Sequence, residues 1–271
     1  MFWKIRGQNL ACNKTLLMGI VNVTPDSFSD GGNFLDPEKA VRQCLKLIED
    51  GADILDLGAE STRPGAEAVS ADEELNRLLP VLEKILNKSA VPISIDTTKA
   101  EVARACLERG ANIINDVSAM QISGPAMAAA VRDFGAGLIL MHRRGNPKTM
   151  QGEAIYHDVV EEVWGELESS VDKALASGIC RDQLAIDPGL GFAKTAEQSL
   201  EIMSHLERFQ EMRLPVMLGP SRKSFIRKIT PDREAGTLAV CKEAVFQKVQ
   251  ILRVHDVASV RKAIGEEHVW T

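Results

Sequence analysis

The stretch LMGIVN at residues 17–22 shows the pattern that decides the fold: a short apolar run ends on a polar side chain, Asn22. The same pattern returns along the chain, and helix-like segments separate most of the runs. The other runs are ADILDLGAESTRPG (52–65), PISID (92–96), NIIND (112–116), LILMH (138–142), LAID (184–187), VMLGPSRK (216–223) and ILRVH (251–255). Continuous apolar runs are typical of buried parallel strands, and their alternation with helices indicates βαβ units.

Eight such units predict a closed (β/α)8 TIM barrel. The 271 residues are an ordinary length for this fold, so we expect residues 1–271 to form a single domain. In these barrels the functional side chains come from the carboxyl ends of the strands. The polar strand ends are far apart in sequence, yet they are therefore expected to form one site.

The bulk composition narrows the class of protein. The chain has 32 Lys and Arg against 38 Asp and Glu, a formal net charge of −6, which argues against a nucleic-acid partner. No apolar run reaches about 18 residues and no signal segment is visible, so we expect no membrane partner. The five cysteines are scattered, as expected for buried reduced thiols in a cytoplasmic protein. A catalytic cysteine is the alternative, but no motif supports it.

Two carboxylates occupy the most informative strand ends. Asp96 closes ISID and Asp187 closes LAID, where a partly dry barrel mouth raises a carboxylate pKa unless partners are present. Both are candidates to accept hydrogen bonds from an N–H-rich planar ligand or to stabilise a developing cation. The alternative for Asp96 is that it caps the following helix. Asn115, at another strand end, offers a donor and an acceptor, with a structural strand-end amide as its alternative.

Cationic side chains stand at other strand ends. Arg253 and His255 are two residues apart, so they point to the same side of a strand, and Arg63 follows the second strand. This combination suits an oxyanion such as phosphate. The alternative for His255 is a core histidine. Lys223 is a further candidate, and a Schiff-base aldolase using it is an alternative kind of enzyme.

Eight motifs in order resemble the dihydropteroate synthase family over nearly the whole chain. They are NVTPDSFSDGG (22–32), ESTRPGA (60–66), IDTTK (95–99), NDVS (115–118), MHRRGNPKTMQ (141–151), DPGLGFAKT (187–195), SRKSF (221–225) and RVHDV (253–257). The resemblance implies a (β/α)8 barrel and a transferase of folate biosynthesis. That enzyme joins 6-hydroxymethyl-7,8-dihydropterin pyrophosphate to p-aminobenzoate and releases 7,8-dihydropteroate and pyrophosphate.

The resemblance also implies a role for each matched residue. The pterin pocket would be lined by Asp96, Asn115, Asp187 and Lys223. The pyrophosphate would be held by Asn22, Arg63, Arg253 and His255, with Asn22 also a ligand of a Mg²⁺ cofactor. The p-aminobenzoate pocket would be formed by Phe28, Thr62, Pro64, Phe192 and Ser221.

The chemistry is expected to proceed by ionisation of the pterin substrate, an SN1-like path, because an electron-rich pterin can support a cation at its methylene carbon. Catalysis would then rest on Asp96, Arg63, Lys223 and Asp30. The resemblance further implies inhibition by sulfonamides and a homodimer.

Two positions depart from the usual family pattern: Arg143 stands where Met is common, and Ala193 where Gly is frequent. Two other interpretations of the site are a pterin-binding methyltransferase and a non-catalytic paralogue. A pterin-binding methyltransferase would lack the loops NVTPDSFSDGG and STRPG. A non-catalytic paralogue would lose charged site residues. This chain has both loops and all of the charged residues.

Overall fold

The chain begins with a β-hairpin that the sequence patterns do not predict. Strands β1 (Phe2–Ile5) and β2 (Gln8–Ala11) pair antiparallel through Arg6 and Gly7, which both have positive φ, 42° and 76°. Two such residues are what a tight two-residue hairpin turn requires. The structure, a computed structural model, describes residues 1–24, 36–60 and 68–265.

The predicted barrel is confirmed. Its strands are β3 (Leu16–Asn22), β4 (Ile54–Gly58), β5 (Ile93–Asp96), β6 (Ile113–Asp116), β7 (Gly137–Met141), β8 (Leu184–Asp187), β9 (Met217–Leu218) and β10 (Ile251–Val254). They pair in the order β8-β7-β6-β5-β4-β3-β10-β9, and the pairings are parallel. A parallel bridge between Ile186 and Val216 joins β8 to β9 and closes the ring.

Helices cover the outside of this sheet. They are α1 (Pro37–Glu49), α2 (Ala71–Leu86), α3 (Ala100–Arg109), α4 (Gly124–Phe134), α5 (Val159–Ala176), α6 (Ala196–Ser204), α7 (Leu206–Gln210), α8 (Arg233–Phe246) and α9 (Val257–Ile264). Local signals start several of them: the Asp36 side chain accepts from the Glu38 amide at 2.9 Å, and Ser70 accepts from the Glu73 amide at 3.2 Å. Within the described residues no helix is long and apolar enough to span a membrane.

The barrel interior has two layers of opposite character. Because side chains alternate along a strand, a step of two residues moves from one layer to the next. One layer, which we call the lower layer, is formed by Ile54, Ile113, Ile139, Ala185 and Ile251. The upper layer, two residues further along each of these strands, is Asp56, Asn115, Met141, Asp187 and Arg253.

The hairpin closes the lower layer. Trp3 and Ile5 are fully buried in the same apolar cluster as the lower-layer residues. The indole nitrogen of Trp3 donates to the Gln183 carbonyl at 2.8 Å. A Cβ on Gly137 would lie only 2.7 Å from Ile5, so the hairpin sits directly against β7. With the lower end sealed by apolar packing, the open end of the barrel is the upper one.

Candidate active site

A cleft opens above the upper layer. It is lined by Asp96, Asn115, Val117, Met141, Asp187, Leu190, Phe192, Met217, Gly219, Lys223 and Arg253. The four residues predicted for the pterin pocket, Asp96, Asn115, Asp187 and Lys223, therefore meet in one cavity. Phe192, predicted for the p-aminobenzoate pocket, lies on the same wall.

Arg253 joins two of the buried carboxylates. Its Nε donates to Asp56 Oδ2 at 2.6 Å, and its Nη2 donates to Asp96 Oδ2 at 2.8 Å. Asp56 has no exposed surface and Asp96 is 9% exposed, so this is a desolvated pair of acids sharing one cation. Such an arrangement holds the guanidinium in place because moving it would leave buried charge without a partner.

The structure thus gives Arg253 neighbours that its predicted role did not include. The sequence groups Arg253 with His255 as an anion site, and its pyrophosphate role stays a prediction. In this structure its Nε and Nη2 donate hydrogen bonds to carboxylates. Asp56 is the residue that sequence reasoning passed over, although a lone acid inside the apolar run ILDLG was a visible signal.

Asp56 also fixes the orientation of Asn115. The Asn115 amide nitrogen donates to Asp56 Oδ2 at 3.3 Å. The flipped amide would place two oxygens against each other, so the hydrogen-bond network sets the assignment. Asn115 Oδ1 is buried and has no hydrogen-bond partner among the described residues. A ligand that supplies an N–H at this point would satisfy it.

Asp96 does not cap a helix, so that alternative is wrong. Helix α3 begins at Ala100 with Lys99 at its N-cap, and the Ala100 amide donates to the Ser123 hydroxyl at 3.3 Å, whereas the Asp96 carboxylate accepts from Arg253. Burial raises the pKa of Asp96 to about 7; the charge of Arg253 opposes this shift and the nearby Asp56 adds to it. The protonation of this carboxylate therefore depends on the balance between its burial and the charge of Arg253.

Asp187 is anchored by its own loop. Its Oδ1 accepts from the Gly189 amide at 2.7 Å, and burial raises its pKa to about 6, while that amide and Lys223 oppose the shift. A buried carboxylate that lines a cleft is suited to bind N–H groups of a ligand.

Lys223 and Phe192 connect the predicted pterin and p-aminobenzoate residues. The Lys223 Nζ lies 3.7 Å from the centroid of the Phe192 ring, a cation–π contact. Burial lowers the pKa of Lys223 to about 8, and Asp187 opposes the shift. Two residues predicted for different subsites are therefore in contact.

Ser221 and His255 form a second connection. The Ser221 hydroxyl and His255 Nδ1 are 2.9 Å apart, and His255 follows Arg253 by two residues at the end of β10. The imidazole is half-exposed, so the alternative of a fully buried core histidine does not describe it. One hydrogen bond thus links a residue predicted for p-aminobenzoate to one predicted for pyrophosphate.

Arg143, one of the two departures from the family pattern, is buried at the end of β7 with 5% exposure. Burial lowers its pKa, and the charges of Asp116, Asp96 and Glu60 oppose that shift. It adds a cation beside the acidic side of the cleft, where a methionine would be neutral.

The remaining predicted residues divide into two groups. Asn22 ends β3 at the upper rim and is half-buried; its amide oxygen is the kind of hard donor that suits Mg²⁺ together with phosphate oxygens. Among residues 1–24, 36–60 and 68–265 no cluster of three acidic, histidine or cysteine ligands occurs. The other group lies outside the described residues: Phe28, Asp30, Thr62, Arg63 and Pro64.

Comparison with known proteins identifies the class. A family model described as pterin binding enzyme matches residues 18–255, and the chain belongs to this family. Within it, the dihydropteroate synthase of Synechocystis sp. is 45% identical over 252 residues, covering 91% of this chain and 87% of the relative. The resemblance inferred from the sequence motifs is confirmed.

Solved structures give the same result. A dihydropteroate synthase from Xanthomonas albilineans with 4-aminobenzoic acid superposes with a TM-score of 0.89 at 41% identity, covering 97% of this chain and 96% of that one. The Yersinia pestis dihydropteroate synthase with a sulfonamide drug complex gives 0.90 at 36% identity, covering 97% of both chains.

Proposed function

We propose that this chain is a dihydropteroate synthase, which joins 6-hydroxymethyl-7,8-dihydropterin pyrophosphate to p-aminobenzoate and releases 7,8-dihydropteroate and pyrophosphate. The observation that carries the proposal is the meeting of Asp96, Asn115, Asp187 and Lys223 in one cleft of a chain from this family. Relatives at 40–45% identity over most of the chain support the same activity.

The pterin ring binds between these four side chains. Asp187 accepts from ring N–H and 2-amino groups, and Asn115 Oδ1, which has no hydrogen-bond partner among the described residues, accepts a further N–H. Lys223 donates to the carbonyl side of the ring. A planar ligand with N–H donors on one edge and a carbonyl on the other satisfies both the acceptors, Asp187 and Asn115, and the donor, Lys223.

The bond to pyrophosphate breaks before the new bond forms. Departure of pyrophosphate leaves positive charge on the methylene carbon and the attached pterin, and Asp96 is the buried anion beside it. Arg253 holds the Asp96 carboxylate in position at 2.8 Å. The amine of p-aminobenzoate then attacks the carbon, and its proton is lost to solvent or pyrophosphate.

Asn22, Arg63, Arg253 and His255 bind the leaving group. Bound Mg²⁺ would neutralise charge that develops on the pyrophosphate oxygens, with Asn22 as its protein ligand. Asp30 lies two residues after Phe28 in the sequence. It is the fourth proposed catalytic residue, beside Asp96, Arg63 and Lys223. Asn22 at the strand rim suits this arrangement because a single neutral oxygen leaves the other metal positions to phosphate and water.

p-Aminobenzoate occupies a neighbouring pocket formed by Phe28, Thr62, Pro64, Phe192 and Ser221. The contact between Phe192 and Lys223 supports a position for this pocket beside the proposed pterin site. Sulfonamides, which a relative from Yersinia pestis binds, compete for the same pocket. We further propose, on the family resemblance, a single-domain homodimer in the cytoplasm; light scattering of the purified protein tests the dimer.

One assay tests the proposal. Purified protein is given pterin pyrophosphate and Mg²⁺, and pyrophosphate release is followed with and without p-aminobenzoate while dihydropteroate is measured by chromatography. We expect release and product in equal amounts, dependent on p-aminobenzoate. Release that never yields dihydropteroate would show a hydrolase instead, and a methyl-transfer assay with a folate donor would reveal the alternative pterin enzyme.

A further inference from the structure

The loop between β8 and α6, residues 188–195, carries Phe192 in a backbone conformation that needs support. Gly189 has φ +72°, and a Cβ there would lie 2.0 Å from the His142 carbonyl oxygen. Ala193 has φ +49°, a left-handed conformation that a residue with a Cβ adopts at some energetic cost. Other contacts must therefore hold this loop in place.

Lys194 supplies such contacts from inside the loop. Its side chain is buried, and its Nζ donates to the Phe192 carbonyl at 3.0 Å. The same Nζ lies 2.8 Å from His142 Nδ1. A Cβ on Gly189 would be 3.5 Å from this nitrogen, so the ammonium group fills the space beneath the turn. Lys194 does not line the cleft.

The donor and acceptor properties of these side chains show which atoms of the hydrogen-bond network carry the protons. Glu166 Oε2 is an acceptor, so the neutral His142 ring carries its proton on Nε2, and Nδ1 accepts from Lys194 Nζ, which can donate in its charged and in its neutral form. His142 Nε2 lies 3.0 Å from Glu166 Oε2, and Arg144 Nε donates to Glu166 Oε1 at 2.9 Å. Burial lowers the pKa of His142 to about 4, which agrees with a neutral ring.

We propose that Lys194 is a positioning residue for the aromatic amine substrate, acting through its hydrogen bond to the Phe192 carbonyl, with His142 and Glu166 fixing the direction of its side chain. This inference rests on the proposed function. Phe192 is the loop residue that faces both the cleft and Lys223. Loss of the Lys194 bonds frees the strained segment around Ala193, and the ring of Phe192 loses its fixed place.

Lys194→Met tests this, because methionine keeps the length of the side chain and removes its donors. Wild-type turnover is established first, so that failure of the proposed function is seen separately. We expect the KM for p-aminobenzoate to rise about tenfold, as for loss of a buried hydrogen bond, while the KM for pterin pyrophosphate stays within about twofold. Lys228→Met, which removes an exposed ion pair to Glu197 on α6, is the matched control and should behave as wild type.

The assay is run at pH 8. Burial raises the pKa of Asp187 to about 6, and Lys194 is among the charges that lower it. Burial lowers the pKa of Lys194 to about 7, so at pH 8 Lys194→Met removes mainly hydrogen-bond donors and little charge. Asp187 is ionised at this pH in both proteins, so an effect on pterin binding through Asp187 stays small. Equal increases of both KM values would overturn the proposal and assign Lys194 to general loop stability.

A second pair of variants decides the case if Lys194→Met does not fold. His142→Asn keeps an acceptor oxygen near the position of Nδ1, whereas His142→Ala removes it. We expect His142→Ala to raise the KM for p-aminobenzoate and His142→Asn to restore most of it. Equal KM values in the two variants, or failure of all three proteins to fold, would contradict a role confined to this loop.

Discussion

The two layers of the barrel interior differ in what they contribute, although they come from the same strands. The lower layer is apolar and sealed by Trp3 and Ile5. The upper layer, two residues further on, carries the buried acids Asp56 and Asp187, and its Arg253 bridges Asp56 to Asp96 at the end of the neighbouring strand β5. Residues two positions apart on the same strand therefore have different roles: the first packs the closed end of the barrel, and the second lies at the cleft. We expect lower-layer changes to reduce stability, and upper-layer changes to reduce binding and turnover.

The largest effect is expected from Trp3→Ala. The side chain is fully buried and its indole nitrogen donates to the Gln183 carbonyl, so its removal should lower the free energy of unfolding by about 3–5 kcal/mol. Urea denaturation measures this loss. Turnover of the folded fraction should be unchanged. Phe2→Ala, which changes an exposed neighbour on the same hairpin, is the control. A drop in pterin affinity without loss of stability in Trp3→Ala would contradict the difference between the two layers.

Asp187→Ala should have the next largest effect, on pterin binding. It removes a charged acceptor from the buried cleft, so the affinity for 6-hydroxymethyl-7,8-dihydropterin should weaken by about 2–4 kcal/mol in calorimetry. Asp182→Ala, just before the same strand and exposed, should leave affinity unchanged. An unaltered dissociation constant for Asp187→Ala would remove this residue from the pterin site.

Asp96→Asn should separate turnover from binding. Asparagine can still accept from Arg253 Nη2, but it no longer carries the charge that stabilises a developing cation. We expect kcat to fall about 10- to 100-fold, with a much smaller change in affinity for the pterin alcohol. Normal turnover at saturating substrate, combined with lost pterin binding, would show that Asp96 acts in binding alone.

The smallest effect concerns pH. The pKa of Asp96 is raised to about 7 and that of Asp187 to about 6, both chiefly by burial, while burial lowers the pKa of Lys223 to about 8. Each carboxylate loses its charge as pH falls through its pKa, and Lys223 loses its charge as pH rises through its own. Affinity for the pterin alcohol, which depends on Asp187 and Lys223 more than on Asp96, should therefore be highest between about pH 7 and 8 and fall several-fold by pH 5. A flat profile from pH 5 to 9 would mean that ligand binding does not require these charges.

Much of this site could be predicted from single strands. Asp96, Asn115 and Asp187 each end an apolar run, and the closed parallel barrel brings such ends to one face. Lys223 and Phe192 stand in loops that the family motifs identify. Periodicity could not give the contact between them, because two loops that follow different strands meet only after the barrel has closed.

Other features were missed for identifiable reasons. The hairpin has two four-residue strands, and its turn residues Arg6 and Gly7 gave too weak a pattern to predict it. Asp56 lies inside an apolar run, so the local pattern does not mark it as a site residue. Its role depends on Arg253, which lies 197 residues later.

The sequence by itself determined the alternation of strands and helices, the family, and which residues stand at strand ends, since each of these follows from local order along the chain. Only the tertiary structure decided which charges meet across the barrel. Closure of the ring sets β10 beside β3 and within reach of β4 and β5, so Arg253 meets Asp56 and Asp96. The physical reason is that a pairing across a closed sheet depends on shear and side-chain reach in space, which no spacing along one strand contains.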